Sequence, residues 1–448
     1  MQKSRAYRAT SVKQVSVEQI LEGRPTGAVH VGLDVGKEEI YAVVRWSDGT
    51  FGRPWKALNP SEVDVLVKML VKINGSHSLT AAMESTGTYG DVLRARLGQA
   101  GLVLHRVSGK AASDYAEVFD GVPSQHDGKD AAVIAELAAY GKSRPWPYHE
   151  PTETDAELAY WVDWLDMQQR IQMMWVGRLE GLLARHWPEA TRVVQLTSMT
   201  LLKALAYYGG PAPLAADPEA VRRLKVWAHG RGAGERAERV LAAAVRTSGT
   251  RQGTRDILRI RQYATLALAA RRETKQAQRR LQELAGDLEI VQRLAGVVGL
   301  GTACVLWVAL GDPRNYPCGA AYRKALGLNL KERSSGKHKG RIKISKRGPG
   351  NARRWMFFAA LRQVLQPDVR RWYEAKKAKD NNHGKKAVIA VARKLALALY
   401  SVAARGERFE AWRLFPGRSI VRQALTCPWE AAVPCRTTQE GRKRTKGS

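Results

Sequence analysis

The sequence predicts an α/β domain followed by a long, mostly helical remainder, and three observations carry that reading. Short apolar runs of strand length alternate with helix-length amphipathic segments from about residue 28 to 145. From 152 to 292, apolar residues recur at three- and four-residue spacing with almost no strand signal. From 293 onward helices resume, interrupted by one strongly basic loop that carries two adjacent serines.

Within the first region, VHVGLDV reads as a strand, GK turns the chain, and EEIYAVVRW reads as a second strand, with FGRPWKAL as a third. NPSEVDVLVKMLVKI opens a helix in which Asn59 is a candidate N-cap, Pro60 occupies the first position and Glu62 completes a capping box. Strand SLTAAMES, helix YGDVLRARLGQAG, strand LVLHRV and a last helix near DGKDAAVIAELAAYG follow. Strands first and helix–strand alternation afterwards is the order of an RNase H-like sheet. In the second region Leu158, Trp161, Leu165, Trp175, Leu179 and Leu182 form one stripe, which Gln168 and Gln172 break midway. A second stripe runs from Ile260 through Leu281, Leu284 and Leu288 to Val291, and GGPAPLAADPEA lies between the two. Heptads of this length suit either an antiparallel or intermolecular coiled coil or the core stripes of a helical bundle. In the third region RLAGVVGLGTACVL has the form of a helix-hairpin-helix turn, in which Gly299 and Gly301 let backbone amides approach a phosphate. The expected domains are 28–148, 152–292 and 293–412, with 413–448 a mobile basic tail.

Composition narrows the partners. Lys and Arg total 73 against 42 acids, a formal charge of +31 in 448 residues, which calls for a polyanion. The start lacks the apolar core of a signal peptide, and no apolar run reaches the roughly 20 residues that span a bilayer. AVIAVARKLALALY comes nearest and is interrupted by Arg393 and Lys394. Nucleic acid is therefore expected and a membrane is not. Cys304, Cys318, Cys427 and Cys435 form no CxxC pair, so neither a zinc knuckle nor a disulfide framework is indicated, and a reducing cytoplasm suits the chain.

Four acids stand where a sheet edge and a helix start would gather them. Asp34 ends the first strand, Glu84 ends the fourth, and Asp127 and Asp130 lie three apart at the start of a helix. If the fold brings them together, their mutual repulsion requires divalent cations. Mg²⁺ prefers such carboxylate oxygens together with water and phosphate, and a pair of ions about 4 Å apart serves phosphodiester displacement. Taken singly, each acid also has a structural explanation as a turn residue, a surface group, an N-cap or a partner of the helix dipole.

GLDVGK, ESTGTYG and DGKDAAVIA, with GVVGLGTACVLWVALGD, SSGKHKGRIKISKRGPGNARRWMFFAA and AVARKLALALY, resemble in order the segments of the insertion-sequence 110 family of DEDD transposases, recombinases guided by a bridge RNA. The resemblance covers about 28–145, implying a RuvC-like domain, and 290–410, implying the transposase domain, with helical coiled coil between them. It implies that Asp34, Glu84, Asp127 and Asp130 are the catalytic, metal-binding acids. It also implies that a serine is the nucleophile, forming a phosphoserine link to DNA. Ser335, directly before Gly336, is the first choice and Ser334 the second. Around them stand Lys331, Arg333, Lys337, Lys339, Arg341, Lys343, Lys346, Arg347, Arg353 and Arg354 against the single acid Glu332, a cluster suited to scissile phosphate. Three departures from the family pattern stand out: Gln125 and His126 where a lysine is usual, an AAYRKALGL segment about two residues longer than usual, and a middle region longer by roughly a hundred residues.

The implied protein is a bacterial, cytoplasmic and nucleoid-associated recombinase. Its partners would be donor and target DNA and a guide RNA, and it would work as a homo-oligomer of two to four copies. One active site made from both domains is expected. Two rivals remain: a RuvC-like junction endonuclease in which water attacks, and a non-catalytic nucleic-acid scaffold. An actin-like ATPase or sugar kinase is disfavoured, because no second D-x-G segment opens another domain.

Overall fold

The structure, a computed structural model, describes residues 8–24, 26–85, 87–121, 126–228, 230–332, 340 and 342–416. It comprises two compact units, Met1–Pro151 and Thr152–Ser448.

In the first unit, strands β1 (Ala28–Val35), β2 (Glu39–Arg45) and β3 (Trp55–Leu58) form an antiparallel meander. On the other side of β1, strands β4 (Ser78–Glu84) and β5 (Val103–Val107) run parallel to it. The order β3-β2-β1-β4-β5, with Thr10–Ser11 at one edge and Arg144–Pro145 at the other, is the mixed RNase H-like sheet that the sequence predicts. Period-two alternation sorts β1. Val29, Val31, Leu33 and Val35 enter one core, with helices α1 (Val63–Ser76) and α2 (Asp91–Gln99). His30, Gly32 and Asp34 alternate with them and therefore face the other side. There α3 (Gly109–Phe119) and α4 (Asp127–Ala139) cover the sheet, through Ala131, Ala132, Val133, Ile134 and Leu137 of α4. Each large aliphatic so buried is worth about 1.5–3 kcal/mol.

One local expectation differs, and one helix was not expected. Helix α1 begins at Val63, and Asn59 does not cap it. Instead the Glu62 carboxylate accepts the Leu58 N–H at 2.8 Å and pairs with Lys13 at 2.7 Å, which leaves no capping box. Helix α3 carries no fully buried side chain, but Ala111, Ala112, Tyr115, Ala116 and Phe119 lay a partly buried apolar face against α4.

In the second unit, α5 (Glu153–His186) and α6 (Thr254–Leu284) form a long antiparallel pair. Its register is marked by Glu157 with Arg280, Trp164 with Glu273, and Trp175 with Tyr263. The chain between them folds at the far end into shorter helices, including α7 (Met199–Tyr208), around their own core of Leu179, Leu183, Leu201, Leu205, Leu224 and Val240. At the near end Leu158, Val162, Leu165, Ala277 and Leu281 join one core with residues 290–415. The expected boundary at 292/293 thus runs through a shared core.

The apolar stripes are intramolecular. Leu281 is 1% exposed, and Leu284 and Leu288, partly buried, pack against the same core. Leu414 and Phe415, expected in the mobile tail, are also buried, with Phe415 against Trp372; residues 417–448 lie outside the described residues. The helix α8 (Gly384–Arg405) is long and apolar enough to cross a membrane, but it lies mostly buried within this core.

One buried carboxylate ties the arm to this core. Asp166, on α5, accepts the Trp355 indole N–H at 2.7 Å and forms ion pairs with Arg354 and with Arg170. Asp166→Ala strands an indole donor and a half-buried guanidinium, and should cost about 3–5 kcal/mol of stability. Chemical denaturation checks this: a loss below 1 kcal/mol would show that water replaces the carboxylate.

Candidate active site

Strands β1 and β4 are neighbours in parallel, with Leu33 opposite Met83, so their C-terminal ends reach the same sheet edge. That edge carries Asp34 and Glu84. Helix α4 brings the other acids to it by close approach. At Gly32, two residues before Asp34 on the same face, a Cβ would overlap the Ala131 carbonyl and the Ala135 amide, so only glycine lets α4 lie directly on the strand. With the helix seated there, Asp127 and Asp130 occupy its first turn, where the dipole favours negative charge. The His126 carbonyl accepts the N–H groups of Lys129 and Asp130 and completes the turn.

The result is convergence. One carboxylate oxygen from each of Asp34, Asp127 and Asp130 lies within 4.8 Å of the others. Glu84 stands beside this trio rather than in it. Its carboxylate rests against Gly109, where a Cβ would overlap it, and its charge is felt by Asp34. Burial, then the charges of Asp130, Asp127 and Glu84, push the Asp34 carboxyl up to about 6. Burial and Asp130 raise Glu84, while burial and Asp127 raise Asp130 against the opposing pull of Lys129 and His126. The buried Lys129 ammonium is held by Asp120 at 2.8 Å. A set of mutually repelling, oxygen-only donors is what a hard divalent cation fits. Tyr41, opposite Asp34 in the ladder, donates to Glu39 at 2.9 Å; burial, that bond and the nearby Asp127 and Asp34 push its hydroxyl up to about 12.

Sequence reasoning missed two residues that position the acids, Gly32 and Gly109, and gave a third, Asn59, a different role. The Asn59 side chain donates to the Gly36 carbonyl at 2.9 Å and to the Tyr89 carbonyl at 3.1 Å, tying together the loops that follow Asp34 and Glu84. Gly32 alone left a readable sign, a glycine on the face of a strand that ends in a candidate ligand. Gly32→Val should force α4 off the sheet, lower divalent-ion affinity at least tenfold and destabilise the fold by several kcal/mol, about the scale of core overpacking. Calorimetric Mg²⁺ titration with a parallel melt reads both; an unchanged Kd would mean that the helix is positioned by other contacts.

In the second unit, the feet of the serine segment are paired: Leu330–Lys331 runs antiparallel to Lys343–Ile344. Ser334, Ser335, Arg333, Lys337, Lys339 and Arg341 lie outside the described residues. Lys343, Lys346 and Arg347 are exposed beside the paired feet. Arg353 donates to the Leu326 and Gly348 carbonyls, and Arg354 is held by Asp166, so these two guanidiniums already have structural partners. The expected hairpin is present, with exposed Gly299 at φ +81° between Glu289–Val298 and Leu300–Leu310. Gly301 instead packs against Trp355 and Leu165, and Arg362 and Gln363 occupy the Val298 and Val297 carbonyls.

Residues 31–188 match a family model described as Transposase, of the DEDD IS110 type, and residues 288–374 match Transposase IS116/IS110/IS902 family. Together these matches span more than half of the chain; the first runs from the first unit into helix α5 of the second, and the other lies within the second. The chain belongs to the IS110 family of transposases. The transposase is 26% identical over 410 residues to the "Insertion element IS110 uncharacterized 43.6 kDa protein" of Streptomyces coelicolor, covering 86% of this chain and 96% of that protein. A T. thermophilus RuvC structure, in complex with a Holliday junction substrate, aligns with 27% of this chain and 99% of its own at 12% identity and a TM-score of 0.22. The family makes this transposase an enzyme that cleaves and recombines DNA with divalent-metal dependence.

Proposed function

We propose that the transposase exchanges DNA strands through a serine nucleophile, Ser335 with Ser334 as the alternative, while Asp34, Glu84, Asp127 and Asp130 hold Mg²⁺. Donor and target would be selected by pairing with a bridge RNA, and two to four copies would work together, since four DNA ends must be joined. The observation that carries the reading is the convergence of Asp34, Asp127 and Asp130 on one oxygen-rich point in a chain of this family.

When bound, the divalent cation would offset charge on the phosphate oxygens and lower the barrier to displacement. The four acids hold that charge in place and keep their own repulsion poised against it. In the cleavage step the serine Oγ attacks phosphorus, a phosphoserine ester forms, and the DNA oxygen leaves with a proton as a hydroxyl. Joining is the reverse attack by a hydroxyl of the other strand, so one phosphate ester replaces another and no nucleotide is consumed. Lys343, Lys346 and Arg347, exposed beside the serine segment, would bind the flanking phosphates.

A plasmid recombination assay with purified transposase, Mg²⁺ and a transcript of the non-coding DNA flanking the gene tests this. Product should require all three. Product that survives ribonuclease would remove the guide RNA from the scheme, and product that survives chelation would remove the metal.

A further inference from the structure

Along the helical arm, between α7 and α6, runs a groove of about 530 Å³. It lies in the stretch that neither family match covers, 189–287. Five of its lining residues are cations: Lys203 on one wall, and Arg271, Arg272, Lys275 and Arg279 on the other. We propose that this groove grips the phosphate backbone of duplex DNA, independently of sequence, as a second binding surface beyond the active-site unit.

Spacing, charge pairing and lining chemistry support it. On α6, Arg272, Lys275 and Arg279 follow one another by three and four residues, so they share a face. From Leu268 to Arg279 the groove wall extends about 16 Å at the helical rise, the length of roughly five phosphates along one DNA strand. That is too long for a single free anion.

Some cations elsewhere on the arm are neutralised by acids, whereas those of the groove share one face without an acid among them. Arg222 pairs with Glu219, Arg223 with Asp217, Lys225 with Glu238 and Arg280 with Glu283. Among the described residues, Lys203, Arg272, Lys275 and Arg279 make no such pair, and no acid lines the groove; Arg271 alone is engaged, with the Thr197 carbonyl. Like charges one helical turn apart repel by a few tenths of a kcal/mol each, a cost that a polyanion removes.

The rest of the lining points to a double helix. Met199, Leu268 and Gln276 complete the groove, and no aromatic ring is present on which unpaired bases would stack. Cations without stacking platforms bind backbone and leave the bases paired.

The test replaces Lys203, Arg272, Lys275 and Arg279 together by Gln in the full-length protein. Binding to a blunt duplex DNA of arbitrary sequence is measured against salt. The slope of log K against log[salt] should become shallower by roughly 3 to 4, and affinity near 0.1 M salt should fall by about tenfold to a hundredfold. A charge-matched control replaces Arg246, Arg251, Arg255 and Arg259, exposed on the same unit outside the groove, and should change the slope far less. An unchanged slope in the groove variant overturns the proposal. So does an equal loss in the control, which would make the charge diffuse, or a loss confined to duplex RNA. The groove variant should keep wild-type Mg²⁺ affinity and melting temperature, so failure of the active-site reading would leave this measurement standing.

Discussion

Asp34→Asn is expected to abolish strand cleavage, by at least about a thousandfold, and at the same time to stabilise the metal-free protein. The two effects have one cause. Asp34 is the most strained of the acids, with its carboxyl pushed up to about 6 by burial and three like-charged neighbours. Removing a carboxylate proposed to orient metal and phosphate takes away electrostatic stabilisation of the kind worth several kcal/mol in a transition state. Without metal, however, the same charge is a liability. The folded protein binds a proton more tightly at Asp34 than the unfolded chain does, so between the unfolded value near 4 and the folded value near 6 it takes up protons on folding. Metal-free stability must therefore fall as pH rises through that window, and the penalty is fully present above it. In chelator near pH 8, Asp34→Asn should melt higher than wild type; near pH 4 the difference should vanish. Added Mg²⁺ should raise the wild-type melting temperature and leave the variant almost unmoved. Retained cleavage in a well-folded Asp34→Asn protein would sink the metal-site assignment, and a lower metal-free melting temperature would mean that a structural bond outweighs the repulsion.

Ser335→Ala should remove both the covalent protein–DNA intermediate and the recombined product while leaving nucleic-acid binding nearly intact. Binding survives because Lys343, Lys346 and Arg347 keep their charge. With Ser335 as the proposed nucleophile, losing its Oγ leaves no bond-forming step, so the drop should reach the assay floor. Ser335→Cys should retain a trace of activity, because a thiol attacks phosphorus with poorer geometry and a different leaving tendency. Peptide mapping of a trapped adduct reads the site directly, and attachment at Ser334 moves the assignment by one residue. Cleavage that persists without any adduct in both Ser335→Ala and Ser334→Ala makes water the nucleophile.

The acids were legible because their cues are local: Asp34 and Glu84 close apolar strands, and Asp127 and Asp130 open a helix. What makes them meet was not, because it resides in long-range sterics. Gly109 is defined by the Glu84 carboxylate resting on it and Gly32 by the helix that follows about a hundred residues later, facts that a linear pattern does not encode. Asn59 shows the opposite failure. Its sequence neighbourhood has every mark of an N-cap, yet tertiary partners at Gly36 and Tyr89 claim its amide. The stripe through Leu281 was read correctly as apolar and helical, but a heptad pattern is equally satisfied by a neighbour in the same chain, and here α5 is that neighbour.

The far end of the arm has a consequence for how such proteins change length. The chain leaves α5 at His186 and returns beside it: the Thr250 N–H bonds the Arg185 carbonyl at 2.9 Å, and Gly249 touches the His186 backbone so closely that a Cβ would not fit. Entry and exit of the distal module therefore sit at one point, like the two ends of a loop tied at its base. Segments joined in this way can be lengthened, trimmed or exchanged over evolutionary time without disturbing the acids or the serine segment. A foreign domain with adjacent termini, spliced between 186 and 249 in place of the native module, would inherit the same two anchor points. Only Leu179, Leu183, Ile260 and their neighbours, which now feed the distal core, would need a new apolar partner or polar replacements.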